Sequence, residues 1–151
     1  MSLAAAAVGV YAVDGADAHA SAPDRNRVEV IDIKLDNEQY ADTDLGPKGP
    51  SLGDMNAYSG SALRDGRRVG LGAGSCQVVH VDGGKVTNQC VITIELDDGS
   101  LTMQSLAAKG ASTLDMAITG GTGDYDDARG TAHYQDIATP NETVQLRVSH
   151  R

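Results

Sequence analysis

The chain has no tryptophan, no phenylalanine and only five tyrosines in 151 residues. Its core must therefore come from Val, Ile, Leu, Met and Ala. Basic residues are also scarce: 12 Lys plus Arg against 21 Asp plus Glu leave a formal net charge of −9. Affinity for a phosphate backbone needs clustered cations, so nucleic acid is excluded as a partner, and an acidic membrane surface is disfavoured on the same ground. No apolar run approaches the roughly 20 residues needed to span a bilayer as a helix. Only two cysteines are present, and the four histidines have no Cys or carboxylate spacing that signals zinc. What the chain does have is 18 glycines spread among short β-prone runs, the composition of one turn-rich β domain.

Residues 1–26 read as separate from the fold. Leu3 to Val13 is apolar and Ala-rich, and Ala18-His19-Ala20 supplies the small-x-small pattern that precedes signal-peptide cleavage, although a basic leading region is missing. The expectation is the remnant of an export signal and hence a secreted protein; an Ala-rich arm is the plainer alternative. The folded domain is expected over 27–151.

Eight strands are predicted, near 27–35, 53–63, 67–81, 85–96, 100–107, 113–119, 128–137 and 142–149. Turn chemistry separates them, including Asp65-Gly66, Asp82-Gly83-Gly84, Asp97-Asp98-Gly99 and Pro140-Asn141. Short connections imply hairpins, hence an antiparallel barrel or sandwich. The stretch Asp36 to Ser51 reads as a surface loop. Alternation places Ile92, Ile94 and Leu96 on one face, as it does Leu114, Met116 and Ile118, and Val144, Leu146 and Val148. In strand one, Val30, Asp32 and Lys34 oppose Ile31, Ile33 and Leu35. If the first set faces a lumen, the second is an outer apolar stripe that a neighbouring subunit would cover. A hairpin centred on Gly83 sets Cys76 opposite Cys90, within reach of a disulfide; two buried thiols are the alternative.

Leu52-Gly53-Asp54, Gly66-Arg67-Arg68-Val69-Gly70 and Ala73-Gly74-Ser75-Cys76 are followed by Ile118-Thr119-Gly120-Gly121-Thr122-Gly123-Asp124-Tyr125 and Ala128-Arg129-Gly130. In this order they resemble the allene oxide cyclase and dirigent protein superfamily over about 28–149. The resemblance implies an all-β fold, an eight-stranded antiparallel barrel with an apolar lumen. It also implies trimeric assembly and a hydrophobic small-molecule ligand handled without metal or organic cofactor. It assigns Asp32 to the first-strand acid of those proteins and Arg129 to their Ala-Arg-Gly arginine, with Asp124 as a second acid. Lys34 and Gly60 stand where the cyclases carry Asn, so the plant cyclase reaction itself is not implied. The predicted site is then Asp32 and Arg129 as catalytic groups, with Val30, Lys34, Tyr58, Asp124 and Tyr134 around the ligand.

A buried Asp32 beside an apolar wall could donate a proton to an epoxide or quinone methide oxygen. Against that, Asp32 and Lys34 could form only an ion pair at the barrel rim, and Arg129 could simply hold the acidic turn after Gly123. Gly120-Gly121-Thr122-Gly123 does not make a phosphate cradle, because no Lys-Ser/Thr and no helix follow it. Two functional classes remain: a cyclase-like enzyme that folds a reactive apolar intermediate, or a lipocalin-like carrier of a hydrophobic ligand.

Overall fold

The protein is described by a computed structural model covering residues 27–150. Eight antiparallel strands close into a barrel in sequence order: β1 (Val28–Thr43), β2 (Met55–Arg64), β3 (Arg67–Asp82), β4 (Lys85–Leu96), β5 (Gly99–Ala108), β6 (Leu114–Gly121), β7 (Arg129–Gln135) and β8 (Thr143–Ser149). The only helical element among the described residues is a 3-10 turn, Gly123–Tyr125. Residues 1–26, and with them the expected export signal, lie outside the described residues.

The tight hairpins follow from residues that tolerate positive φ. Asp65 and Gly66 have φ of 51° and 73°, and Gly83 and Gly84 have 52° and 84°. Both are two-residue turns whose hand matches the twist of the flanking strands. The β3–β4 turn is therefore centred between Gly83 and Gly84, half a residue beyond the expected centre. Left alone, that register would put Cys76 opposite Val91. A bulge between Val78 and His80 adds one residue to β3, and Cys76 pairs with Cys90 after all.

The sidedness of β1 is the reverse of the expectation. Ile31, Ile33 and Leu35 point into the barrel and are buried, while Val30, Asp32 and Lys34 are exposed on the outside. The energetics decide this plainly. Burying each large aliphatic side chain is worth about 1.5–3 kcal/mol, whereas a lumen holding Asp32 and Lys34 would bury two charges and leave three aliphatics in water. The outer apolar stripe that would have called for a covering subunit is core. β1 also runs eight residues further than expected, to Thr43, through part of the presumed loop. Its polar extension pairs with β2 from Asp36↔Ser61 to Thr43↔Met55 across a bulge at Asn37/Gln39. Exposure on both faces explains why Asp36 to Thr43 shows no alternation.

The inner faces predicted from alternation are core: Ile92, Ile94, Met116, Ile118, Val144, Leu146 and Val148 are all buried. Leu96 and Leu114 pack at its edges. The barrel has two unlike ends. One is capped by the turn Gly123–Tyr125, with Tyr125 buried and its ring stacked on His150 at 6.2 Å. Gly123, at φ 61°, is required there because a Cβ would collide with the Asp98 carbonyl. The other end is where polar side chains enter the lumen.

Candidate functional site at the polar end of the barrel

Glu142 lies one residue before β8 and continues the inward phase of Val144, Leu146 and Val148. It is 6% exposed, one of two buried polar or charged residues among those described. The turn after β7 positions it: Glu142 N donates to Thr139 O at 3.2 Å, and Leu35 N donates to Glu142 O at 3.0 Å. Its side chain then folds back over the same turn. Oε2 accepts from Asn37 Nδ2 at 2.8 Å and from Ala138 N at 2.8 Å, so Oε1 takes neither bond.

Two tyrosines flank the carboxylate. Tyr134, on β7, is buried and donates its hydroxyl to the Met103 sulfur at 3.3 Å. Tyr58, on β2, crosses over Gly74, where a Cβ would come within 3.2 Å of its hydroxyl oxygen. The hydroxyl lies 3.7 Å from Cys76 Sγ. Burial first, and the Glu142 carboxylate second, push the Tyr58 hydroxyl up to about 12. Tyr134 is also pushed well above the usual phenol range, by burial first and then by Tyr58 and Glu142. Both phenols therefore stay protonated at neutral pH and can act only as hydrogen-bond donors or weak acceptors.

Leu35, Asn37, Tyr58, Gly60, Gly72, Ile92, Ile94, Tyr134 and Glu142 enclose a cavity of about 20 Å³. That is about the size of one water. Core side chains close the cavity on the inner side, among them Leu35, Ile92, Ile94 and Tyr134, so a molecule larger than water that enters here displaces part of its rim. The Cys76–Cys90 disulfide lies behind Tyr58 and does not itself line the cavity; its two Cα atoms are 4.1 Å apart.

The residues selected from sequence divide between this end and other surfaces. Tyr58 and Tyr134 come together here with Glu142. Asp32, Val30 and Lys34 lie on the outer face, where Asp32 accepts from Gln145 Nε2 at 3.0 Å and is solvent-exposed. The lumen placement of Asp32 is thus overturned by the one-residue phase of the strand. Arg129 and Asp124 sit at the capped end. Arg129 Nη1 donates to Ala128 O at 2.6 Å, holding the turn, and Asp124 N donates to Asp98 O. Neither shares a cavity with Glu142. Among the described residues no group of His, Cys, Asp or Glu is arranged to hold a metal ion, and no helix is long and apolar enough to cross a membrane.

Glu142 and Asn37 were both missed from sequence, although a signal was present. Glu142 is in phase with Val144, Leu146 and Val148, and Asn37 with Ile31, Ile33 and Leu35. A polar side chain that continues an apolar face at the strand's end is a polar side chain at a barrel mouth.

Residues 29–149 match the model of the allene oxide cyclase barrel like domain. The chain belongs to that family. Among solved structures, one described as a pyocyanin demethylase shares 33% identity over 80% of this chain and 100% of its own, with a TM-score of 0.76. A Diels-Alderase from Streptomyces koyangensis shares 14% identity and a TM-score of 0.66, covering 82% of this chain and 64% of its own. A pterocarpan synthase dirigent protein shares 16% identity and a TM-score of 0.60, covering 82% of this chain and 84% of its own. At those two identities the likeness shows the barrel fold alone. No curated protein matches this chain. For a member of the family, the first-strand acid expected at Asp32 is absent from the lumen, and the buried carboxylate comes instead from the entry to β8.

Proposed function

We propose that this protein is a small-molecule enzyme that takes an apolar, conjugated substrate at the polar end of its barrel, with Glu142 moving the proton. The observation that carries this is the buried carboxylate itself. One oxygen is anchored by Asn37 and the Ala138 amide, and the other is left for chemistry beside two protonated tyrosines. A carboxylate so placed can take a proton from carbon or oxygen and return it, while Tyr58 and Tyr134 donate to charge developing on a substrate oxygen. The apolar walls of Leu35, Ile92 and Ile94 would hold the substrate in one reactive conformer. The names of the three neighbours, a demethylase, a Diels-Alderase and a pterocarpan synthase, share a small organic substrate and differ in reaction. They support the ligand class more strongly than any one transformation, cyclisation included.

Pyocyanin is the first substrate to try, given the relative at 33% identity. Glu142→Gln is expected to lower kcat by about 10²–10⁴-fold with the dissociation constant held within about threefold, as befits loss of a proton-transfer group. Asp32→Asn on the outer face should change neither. Full turnover by Glu142→Gln would sink the assignment, and pyocyanin bound without turnover by the wild-type protein would favour a carrier.

Export and trimeric assembly are further parts of this reading. Export rests on the Ala-rich stretch before residue 27 and on the disulfide, which persists in oxidising compartments. Assembly rests on the family resemblance and on Leu71, Val91 and Leu106, each exposed on the outer face of β3 to β5.

A further inference from the structure

Most glycines among the described residues hold a positive φ that favours glycine. Of the others, Gly60, Gly70, Gly74 and Gly121 are fixed by close backbone, since a Cβ at any of them would strike a neighbouring strand's or turn's carbonyl oxygen. Gly72, within β3, has neither reason to be glycine. Its φ lies outside the left-handed region, and an added Cβ would meet nothing nearer than Leu35 Cδ2 at 3.4 Å, Gly60 O at 3.9 Å and Ile94 Cγ1 at 4.0 Å, which are ordinary van der Waals contacts. Glycine in a strand interior weakens the strand, because it loses more backbone freedom on folding and packs no side chain. The fold has room for alanine at this position and carries glycine all the same.

The place of Gly72 supplies a reason. Leu35, Gly60 and Ile94, which surround the position of that Cβ, all line the cavity beside Glu142, as does Gly72 itself. Gly60 pairs with Gly72 across β2 and β3, so two adjacent strands present bare backbone there. Round the closed barrel β3 stands four strands from β7 in either direction. The bare wall is thus set across the lumen from Tyr134, which lines the same cavity. A wall without side chains lets a ligand approach the backbone closely, one of the uses of a strand glycine that the fold itself does not need.

We infer that Gly72 is a specificity-determining residue of this site: its missing side chain keeps the space in which the flat face of a fused-ring substrate lies against the β2–β3 backbone. This rests on the function proposed above and narrows its substrate class to rigid, planar ring systems. A tetrahedral centre over Gly72 would need the space that a Cβ would take. Conversely, a methyl group added at Gly72 overpacks the occupied site, and the ligand is displaced because Gly60 and Gly74 on either side are held by backbone contacts and cannot give way.

Pyocyanin, a planar tricycle, is the probe, titrated by calorimetry into the wild-type protein, Gly72→Ala and Gly72→Val, with Tm read for each. Gly72→Ala should melt within about 5 °C of the wild type or above it, yet bind pyocyanin about tenfold or more weakly. Gly72→Val should bind it more weakly still, and the alanine variant decides if the valine variant unfolds. In turnover KM should rise with the dissociation constant while kcat stays within about threefold, because Glu142, Tyr58 and Tyr134 are untouched. Unchanged affinity in Gly72→Ala overturns the inference and leaves the Glu142 reading, judged by Glu142→Gln, as it stands. A larger fall in Tm for Gly72→Ala also overturns it, since glycine would then be a demand of the fold. Pyocyanin bound by the wild-type protein without turnover defeats the catalytic reading, and the affinities still decide Gly72. No binding by the wild-type protein overturns both.

Discussion

Replacing Glu142 separates its structural work from its chemistry. Its Oε2 accepts two hydrogen bonds, from Asn37 Nδ2 and Ala138 N, each at 2.8 Å, in a setting 6% exposed. Hydrogen bonds to a charged acceptor contribute about 1.5–3 kcal/mol each, so Glu142→Ala should cost about 3–5 kcal/mol. The backbone bond from Leu35 N survives the change. Part of the cost falls on the turn, since Asp136 and Ala138 both hold positive φ, 52° and 62°, without being glycine. The Ala138 amide bond helps to keep the chain in that conformation. Glu142→Gln retains an oxygen that can accept both bonds and loses only the charge, so its cost should be about 1 kcal/mol. For a domain of this size 1 kcal/mol moves Tm by about 3–6 °C. The alanine variant should therefore melt about 10–30 °C lower and the glutamine variant only a few degrees lower, read by circular dichroism. A double-mutant cycle with Asn37→Ala should return a coupling of about 1–2 kcal/mol. If alanine and glutamine variants were equally stable, Glu142 would not anchor this end of the barrel, and its burial would need another explanation.

Two further outcomes follow from the same region. The Cys76–Cys90 bridge spans a sequence separation of 14, so reducing it, or making Cys76→Ser with Cys90→Ser, should lower stability by about 3 kcal/mol in the loop-entropy account; urea unfolding that moves by less than about 1 kcal/mol would contradict this. Tyr58, raised by burial from 10.0 to about 12, is neutral in the folded state where the unfolded chain would already ionise. Its contribution is complete below pH 10 and is lost as pH climbs from 10 through 12, a fall of up to about 3 kcal/mol. Tyr58→Phe should flatten that part of the stability profile, and an unchanged slope would remove Tyr58 as its source.

The barrel itself was legible because its signals are local and repeated. Each hairpin carries its own turn residues, and three strands show their inner face by alternation alone. What failed was phase in strand one. There the alternation is as clear as elsewhere, with Ile31, Ile33 and Leu35 on one side, but the acid at Asp32 follows from family resemblance, and resemblance does not fix a register to one residue. In a strand an error of one residue exchanges inside for outside. The extension to Thr43 was hidden for a different reason: a strand that leaves the barrel wall has no buried face and so no period to read.

The same physics shows why the site was recoverable in principle. A barrel's inner residues are every second residue of every strand, so a polar residue inside must interrupt or terminate an apolar alternation. Following the inward phase outward from each aliphatic run reaches Asn37 after Leu35, Glu142 before Val144, Tyr134 after Ala132, Ser105 after Met103, and Tyr58 and Asn56 before Gly60 and Ala62. All six collect at one end, because β1, β5 and β7 arrive there as β2 and β8 depart. The opposite end is reached by Val28–Val30, Val148 and Ile118, and it is capped by Tyr125. Antiparallel connectivity thus gathers residues from distant stretches of chain into one mouth, and phase within each strand, more than residue type, selects which of them face each other across it.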